Sequence, residues 1–112
     1  MPLQKWSDQI WVSQMSQEPS FSEEIEVLKT QYAAADEPPH VVIDLSQVPV
    51  LNSSNISQML EIRKLATDQG RKVKIAGPTD AVWSVFLTAS LDKVFEFSQD
   101  TSIALAELQI LG

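Results

Sequence analysis

Short apolar runs separated by helical patterns constrain the fold of this chain more than any other feature. The run VVIDL at residues 41–45 is almost continuously apolar, as is typical of a strand covered on both faces. An apolar residue recurs every three or four positions between Phe21 and Ala35, and the same spacing returns between Ile56 and Ala66. This alternation predicts an α/β fold in which helices connect the strands.

The rest of the chain follows the same cycle. Residues 9–15 predict a strand with residues 3–7 as a short partner, and residues 73–76 and 94–97 predict two more strands. Helices are expected to start near Ser20, where Glu23 completes a capping-box pattern, at the serine pair 53–54, after Thr79 and near Asp100. We therefore predict one α/β domain over residues 1–112. It should have a mixed, largely parallel β-sheet, an N-terminal edge hairpin and later strands that lie beneath about four α-helices.

The charge and residue usage exclude several classes of function. The chain has eight Lys and Arg residues and fifteen Asp and Glu residues. The resulting net charge of −7 repels phosphate backbones and anionic lipids. The chain has no cysteine, so disulfides, thiolate catalysis and cysteine-bound metal are excluded. It shows neither a secretory signal nor an apolar stretch approaching the ~20 residues that cross a bilayer. We expect a cytoplasmic protein without direct nucleic-acid binding or membrane insertion.

No enzyme constellation emerges from the sequence. His40, the only histidine, precedes a strand, where a histidine usually faces solvent; a hydrolase would need it to pair with Ser53 or Ser54. The three glycines, at positions 70, 77 and 112, cannot form a Gly-rich phosphate loop. We expect no catalytic residue, no cofactor and no metal site.

The segment Asn52-Ser53-Ser54-Asn55 stands where the second helix begins. It could simply cap that helix, which these residue types do well, although no Glu or Gln follows at the spacing of a capping box. It could also be functional, because open α/β sheets bind ligands at the carboxyl ends of their strands and helix N-termini favour negative charge. A phosphate on either serine would be well tolerated there and would add about −1.5 to −2 charges.

Four sequence segments resemble the STAS domain of anti-sigma factor antagonists. They are VVIDLS at 41–46, the serine pair at 53 and 54, AGP at 76–78 and FLTASLDKVF at 86–95. In that family the strand-to-helix junction commonly reads D-S-S-G, and a kinase that is also the anti-sigma factor phosphorylates the first serine. The resemblance implies Ser53 as the phosphoacceptor, with Ser54 as second choice. Asn52 replaces the acidic residue of the family pattern and Asn55 replaces its glycine.

The resemblance implies partner switching, in which the unmodified antagonist captures the anti-sigma kinase, phosphorylation weakens the capture, and a serine phosphatase restores it. The expected partner surface comprises the loop and the exposed side of the second helix, namely Asn52, Asn55, Ser57, Gln58 and Glu61. The alternative is a non-phosphorylated STAS subunit or scaffold of a lipid-transport ATPase complex or a signalling assembly. A small hydrolase that uses Ser53 is a third possibility.

Overall fold

The computed structural model describes residues 3–111, and strands and helices alternate along them. The elements are β1 (Leu3–Gln4), β2 (Ile10–Gln14), α1 (Ser20–Ala34), β3 (His40–Asp44), α2 (Ser53–Asp68), β4 (Val73–Ala76), α3 (Asp80–Thr88), β5 (Glu96–Ser98) and α4 (Thr101–Leu111). The predicted α/β class with four helices is confirmed.

The five strands form one mixed sheet in the order β1-β2-β3-β4-β5. β1 pairs antiparallel with β2, and every later neighbour is parallel, so the predicted edge hairpin is confirmed. β3 is the central strand. Each helical crossover moves one strand further in the same direction. Because such crossovers are right-handed, α1, α2 and α3 all lie on one face of the sheet.

Two hydrophobic clusters separate the faces of the sheet. The larger one contains the inner sides of α1, α2 and α3, including Phe21, Met59 and Phe86, all fully buried. The smaller one joins Ala104 and Leu108 of α4 to the opposite side of β2, β3 and β4. The prediction that the parallel strands lie beneath all four helices is therefore wrong. α4 follows the last strand instead of linking two strands, so it is free to cover the second face.

Six apolar residues of the predicted strands are buried, and two of them lie just outside the observed strands. Val41, Ile43, Val73 and Ile75 are core residues of β3 and β4, whereas Leu45 follows β3 and Phe95 precedes β5. The backbone N–H of Leu45 still donates to the carbonyl of Ala76 at 2.9 Å, which extends the β3–β4 pairing by one hydrogen bond. The boundaries differ by one or two residues while the inward orientation is correct.

The predicted capping box at the start of α1 does not form. Pro19 is the N-cap residue and has helical dihedral angles, so Ser20 becomes the first helical residue and its hydroxyl does not cap the helix. The carboxylate of Glu18 takes over this role, since it accepts hydrogen bonds from the backbone N–H of Ser22 at 2.8 Å and from the Ser22 hydroxyl at 2.7 Å. A residue before the helix thus satisfies one of its free N–H groups.

α3 ends in a left-handed residue that is not glycine. Ser90 has φ 59°. Its N–H donates to the Leu87 carbonyl at 3.1 Å, and the N–H of Leu91 donates to the Phe86 carbonyl at 2.8 Å, which is the hydrogen-bond pattern of a Schellman motif. α2 ends in the same way, but with Gly70 at φ 71°. A side chain in this conformation is disfavoured because its Cβ crowds the following carbonyl oxygen.

We therefore expect Ser90→Gly to raise the free energy of unfolding by about 0.5–1 kcal/mol, the net of relieved strain and a more flexible unfolded chain. Urea denaturation measures the change. The matched control is Ser84→Gly, an exposed position inside α3, which should destabilise by roughly 0.5 kcal/mol. Equal destabilisation by both variants would contradict the strain assigned to Ser90.

Candidate functional site

The loop between β3 and α2 lies at the carboxyl edge of the parallel strands. Val48 and Leu51 are buried and anchor the loop, with the Val48 N–H donating to the Leu45 carbonyl at 3.0 Å. Val50 between them is 61% exposed. Val50 thus presents an isolated apolar side chain to solvent three positions before Ser53.

A reciprocal pair of asparagines caps α2. The side-chain oxygen of Asn52 accepts from the backbone N–H of Asn55 at 2.8 Å, and the side-chain oxygen of Asn55 accepts from the backbone N–H of Asn52 at 3.1 Å. The interpretation that a capping box is absent is therefore wrong, because the amide of Asn55 does the work that Glu or Gln does in the usual pattern.

Ser53 and Ser54 are the first two residues of α2, and both are exposed. Within residues 3–111 neither hydroxyl takes part in a hydrogen bond, so both are free to react or to contact a partner. The capping box uses the N–H of the third helical residue and leaves those of the two serines pointing out of the helix end. The helix dipole favours negative charge at this position.

Asn55, which was expected on the partner surface, is only 1% exposed. Its side chain turns inward because its oxygen serves the capping box while its Nδ2 donates to Glu18 at 3.0 Å. It therefore does not add bulk on the outer side of the turn, where the family pattern has a glycine. The buried Asn55 side chain therefore stabilises the first turn of α2 and is not part of the exposed surface.

Glu18 links the N-terminal ends of α1 and α2. Its carboxylate accepts from Ser22 on α1 and from Asn55 on α2, and Gln58 of α2 donates to the Ser22 hydroxyl at 3.3 Å. Hydrogen bonds from Ser22, first from its hydroxyl and then from its N–H, lower the pKa of Glu18. Gln58 is half-buried, and its side-chain oxygen is the one buried side-chain polar atom within residues 3–111 that lacks a partner.

The other proposed contact residues lie on the outer side of α2. Ser57 and Glu61 are exposed, and the Glu61 carboxylate forms a 2.5 Å ion pair with Lys29 of α1. This hydrogen bond with Glu61 is the main cause of the raised pKa of Lys29. An exposed pair of this kind contributes little to stability, so Glu61 is available for intermolecular contacts.

The histidine does not belong to this site. His40 begins β3, whereas the serines follow its far end, and the ring Nδ1 of His40 accepts from the Lys72 N–H at 3.0 Å. Burial, followed by the charges of Arg71 and Lys72, lowers the pKa of His40. The structure therefore does not bring together the serine–histidine dyad that a hydrolase would need.

Hydrogen bonds to Glu18 give stability a defined dependence on pH. Because its pKa in the folded state lies below the ordinary value of 4.5, its contribution is present above that pH and is lost as the pH falls through the lowered value. We expect the free energy of unfolding to decrease below pH 4.5, and Glu18→Gln to make this decrease smaller. Denaturant titrations at several pH values measure it, and parallel pH curves for the two proteins would contradict the assignment.

Two features of the site were not expected from the sequence. Val50 is exposed although it lies in the apolar stretch 48–51, whose two end residues are buried, and the sequence pattern does not distinguish it from them. Glu18 carried no comparable signal, because its partner Asn55 lies 37 positions away in the chain. Only the tertiary structure brings Glu18 and Asn55 together.

Within residues 3–111 no helix is long and apolar enough to cross a membrane. The same part of the chain contains no group of three or more histidine, aspartate or glutamate side chains that could hold a metal ion.

Sequence comparison identifies the class of protein that this fold and site define. The STAS domain family matches residues 14–104, which is most of the chain, and the chain belongs to this family. The resemblance seen in the sequence motifs is thereby confirmed. No curated protein sequence shows significant similarity to the chain.

Several solved structures share this fold. A serine-to-glutamate variant of RsbS from Moorella thermoacetica superposes with a TM-score of 0.82 and 23% identity, covering 98% of this chain and 95% of that one. The TM1081 protein of Thermotoga maritima, for which a role as an anti-sigma factor antagonist has been suggested, gives a TM-score of 0.76 and 16% identity, with 96% of this chain and 93% of that one covered. A chain of the stressosome, a signal integration and transduction hub, gives a TM-score of 0.77 and 23% identity, with 98% of this chain and 97% of that one covered. At these identities the similarity concerns the fold.

Proposed function

We propose that this protein is an anti-sigma factor antagonist that acts as a phosphorylation-controlled partner switch and binds an anti-sigma factor that is also a serine kinase. Ser53 is the phosphoacceptor in this proposal, and Ser54 is the second choice. A serine phosphatase resets the switch. The protein acts in the cytoplasm, by protein contacts and not by catalysis.

The single observation that carries the proposal is the exposure of Ser53 at the start of α2, three positions after the exposed apolar residue Val50. In this proposal Val50 and the exposed residues of α2 offer a contact surface, and no hydrogen bond within residues 3–111 engages the Ser53 hydroxyl. A kinase that binds this surface meets its substrate hydroxyl there. The likeness to RsbS and to TM1081 supports this proposal at the level of the fold.

The switch follows from the electrostatics of an interface. A phosphate on Ser53 is tolerated in the free protein because it faces water and the N-terminal end of a helix. In the complex the same dianion must be desolvated, which costs several kcal/mol unless a cation is placed opposite it. One modification can therefore weaken binding strongly without disturbing the fold.

One specific observation favours a non-phosphorylated scaffold as the second candidate. Asn52 stands where the family pattern has a carboxylate, and its side-chain oxygen is occupied by the helix cap. The site therefore lacks an acidic group at position 52 for orienting a serine hydroxyl or for recognition by a kinase. In this alternative the protein is a subunit of a signalling assembly or of a lipid-transport ATPase complex, and the likeness to a stressosome chain is compatible with the former.

The partner surface is tested by reversing one charge on α2. Glu61→Arg should lower affinity for the anti-sigma kinase at least tenfold, because the residue lies on the exposed side of the helix that carries the switch. The matched control is Asp68→Arg, which reverses another exposed, ion-paired carboxylate at the opposite end of α2 and should leave binding unchanged. Calorimetric titration with the purified kinase measures both. Wild-type affinity of the Glu61 variant would show that the surface lies elsewhere.

A further inference from the structure

The network around Glu18 connects the proposed phosphoacceptor turn to a segment outside it. Asn55 is the central member, since its side-chain oxygen binds the N–H of Asn52 and its Nδ2 binds the carboxylate of Glu18 at 3.0 Å. Ser53 directly follows Asn52 in the chain. Two hydrogen bonds through one buried side chain thus join the residue before Ser53 to Glu18.

Glu18 is in turn held by α1. Its two carboxylate oxygens accept from the N–H and the hydroxyl of Ser22, and Gln58 of α2 closes the network by donating to that hydroxyl. The carboxylate therefore cannot move without losing hydrogen bonds to α1, α2 or both. Any charge that repels Glu18 acts on both helices.

We propose that Glu18 is a positioning residue that holds the first turn of α2 through Asn55 and opposes negative charge at Ser53, so that the β2–α1 loop responds to the state of the switch. This inference rests on the proposed function, and it assigns a regulatory role to a residue outside the phosphoacceptor motif. By linkage, a partner that contacts the loop around Glu18 also changes how readily the turn accepts charge.

The chain offers a matched control for Glu18. Glu24 accepts the same two kinds of hydrogen bond, from the N–H of Ser16 at 2.7 Å and from its hydroxyl at 3.0 Å, and no hydrogen bond within residues 3–111 joins it to α2. Glu18→Gln and Glu24→Gln thus remove equal charge from equivalent serine contacts near the start of α1. Only the first removes a charge that is hydrogen-bonded to Asn55.

The experiment measures how much Ser53→Asp changes the melting temperature at neutral pH in three backgrounds, namely wild type, Glu18→Gln and Glu24→Gln. The introduced carboxylate serves as a probe of negative charge at the turn, so the readout needs no kinase. We expect the melting temperature change caused by Ser53→Asp to be more favourable by about 2 °C or more in Glu18→Gln than in the other two backgrounds. Equal changes in all three would overturn the proposal.

A second measurement keeps the test valid if Glu18→Gln folds poorly. In ¹⁵N-labelled protein, Ser53→Asp alone should shift the signals of the Asn55 side-chain amide and the Ser22 N–H more than that of the Ser16 N–H, which binds Glu24. Equal shifts at Ser16 and Ser22 would overturn the proposal. Because both measurements use the isolated protein, failure of the switch function would appear separately, as absence of kinase labelling with the coupling intact.

Discussion

Replacing Phe86 by alanine is expected to lower the free energy of unfolding by about 3–5 kcal/mol. Phe86 is completely buried on the inner side of α3, and its ring meets those of Phe95 and Phe97 edge-on, with centroid separations of 5.8 and 5.0 Å. Truncation loses the transfer free energy of the ring and leaves a cavity between α3 and β5. Since a domain of this size has a total stability of about 5–15 kcal/mol, one such change removes a large part of it.

Urea denaturation followed by circular dichroism measures this loss. The matched control is Leu87→Ala at the next position of the same helix, where the side chain is 47% exposed and the expected loss is below about 1 kcal/mol. If the two variants lost equal stability, the packing of α3 against β5 would be contradicted.

Replacing Ser53 by aspartate is expected to weaken binding of the anti-sigma kinase by a factor of about 100 or more. The carboxylate carries less charge than a phosphate, but it must also be desolvated in the interface, and a cost of roughly 3 kcal/mol corresponds to that factor. The free protein should keep its stability within about 1 kcal/mol, because negative charge is favourable at a helix N-terminus. Ser53→Ala should bind with near wild-type affinity.

The control for this prediction is Ser102→Asp, which adds the same charge in the first turn of α4, on the opposite face of the sheet. Calorimetric titration of the kinase with the three variants separates a local effect from a general effect of charge. A Ser102 variant that weakened binding as much as the Ser53 variant would indicate nonspecific repulsion, contrary to the proposed switch.

The fold could be predicted largely from the sequence because the strands are short and chemically distinct from the helices. The VVIDL run has the pattern of a covered strand, and proline or glycine marks most of the boundaries between elements. The placement of α4 could not be predicted in the same way. Its apolar residues fit either face of the sheet, and only the completed topology shows that three crossovers already occupy one of them.

The candidate site could be located from the sequence, but its internal contacts could not. Ser53 and Ser54 lie in the exposed first turn of α2, as the sequence predicts, because Asn and Ser are typical of helix N-termini and the helical apolar spacing begins at Ile56. Asn55 was misplaced, since an asparagine in such a segment usually faces water. In the structure its Nδ2 donates to Glu18, which lies 37 positions away in the chain, and a contact at this separation depends on how α1 packs beside α2.

We propose above all that phosphorylation of Ser53 switches this protein. The most direct measurement is phosphosite mapping by mass spectrometry after incubation of the wild type, Ser53→Ala and Ser54→Ala with ATP and the cognate anti-sigma kinase. We expect one phosphate on wild type and on Ser54→Ala, located at Ser53, and none on Ser53→Ala. Labelling of Ser53→Ala to the wild-type extent, or no labelling of any of the three by an active kinase, would contradict it.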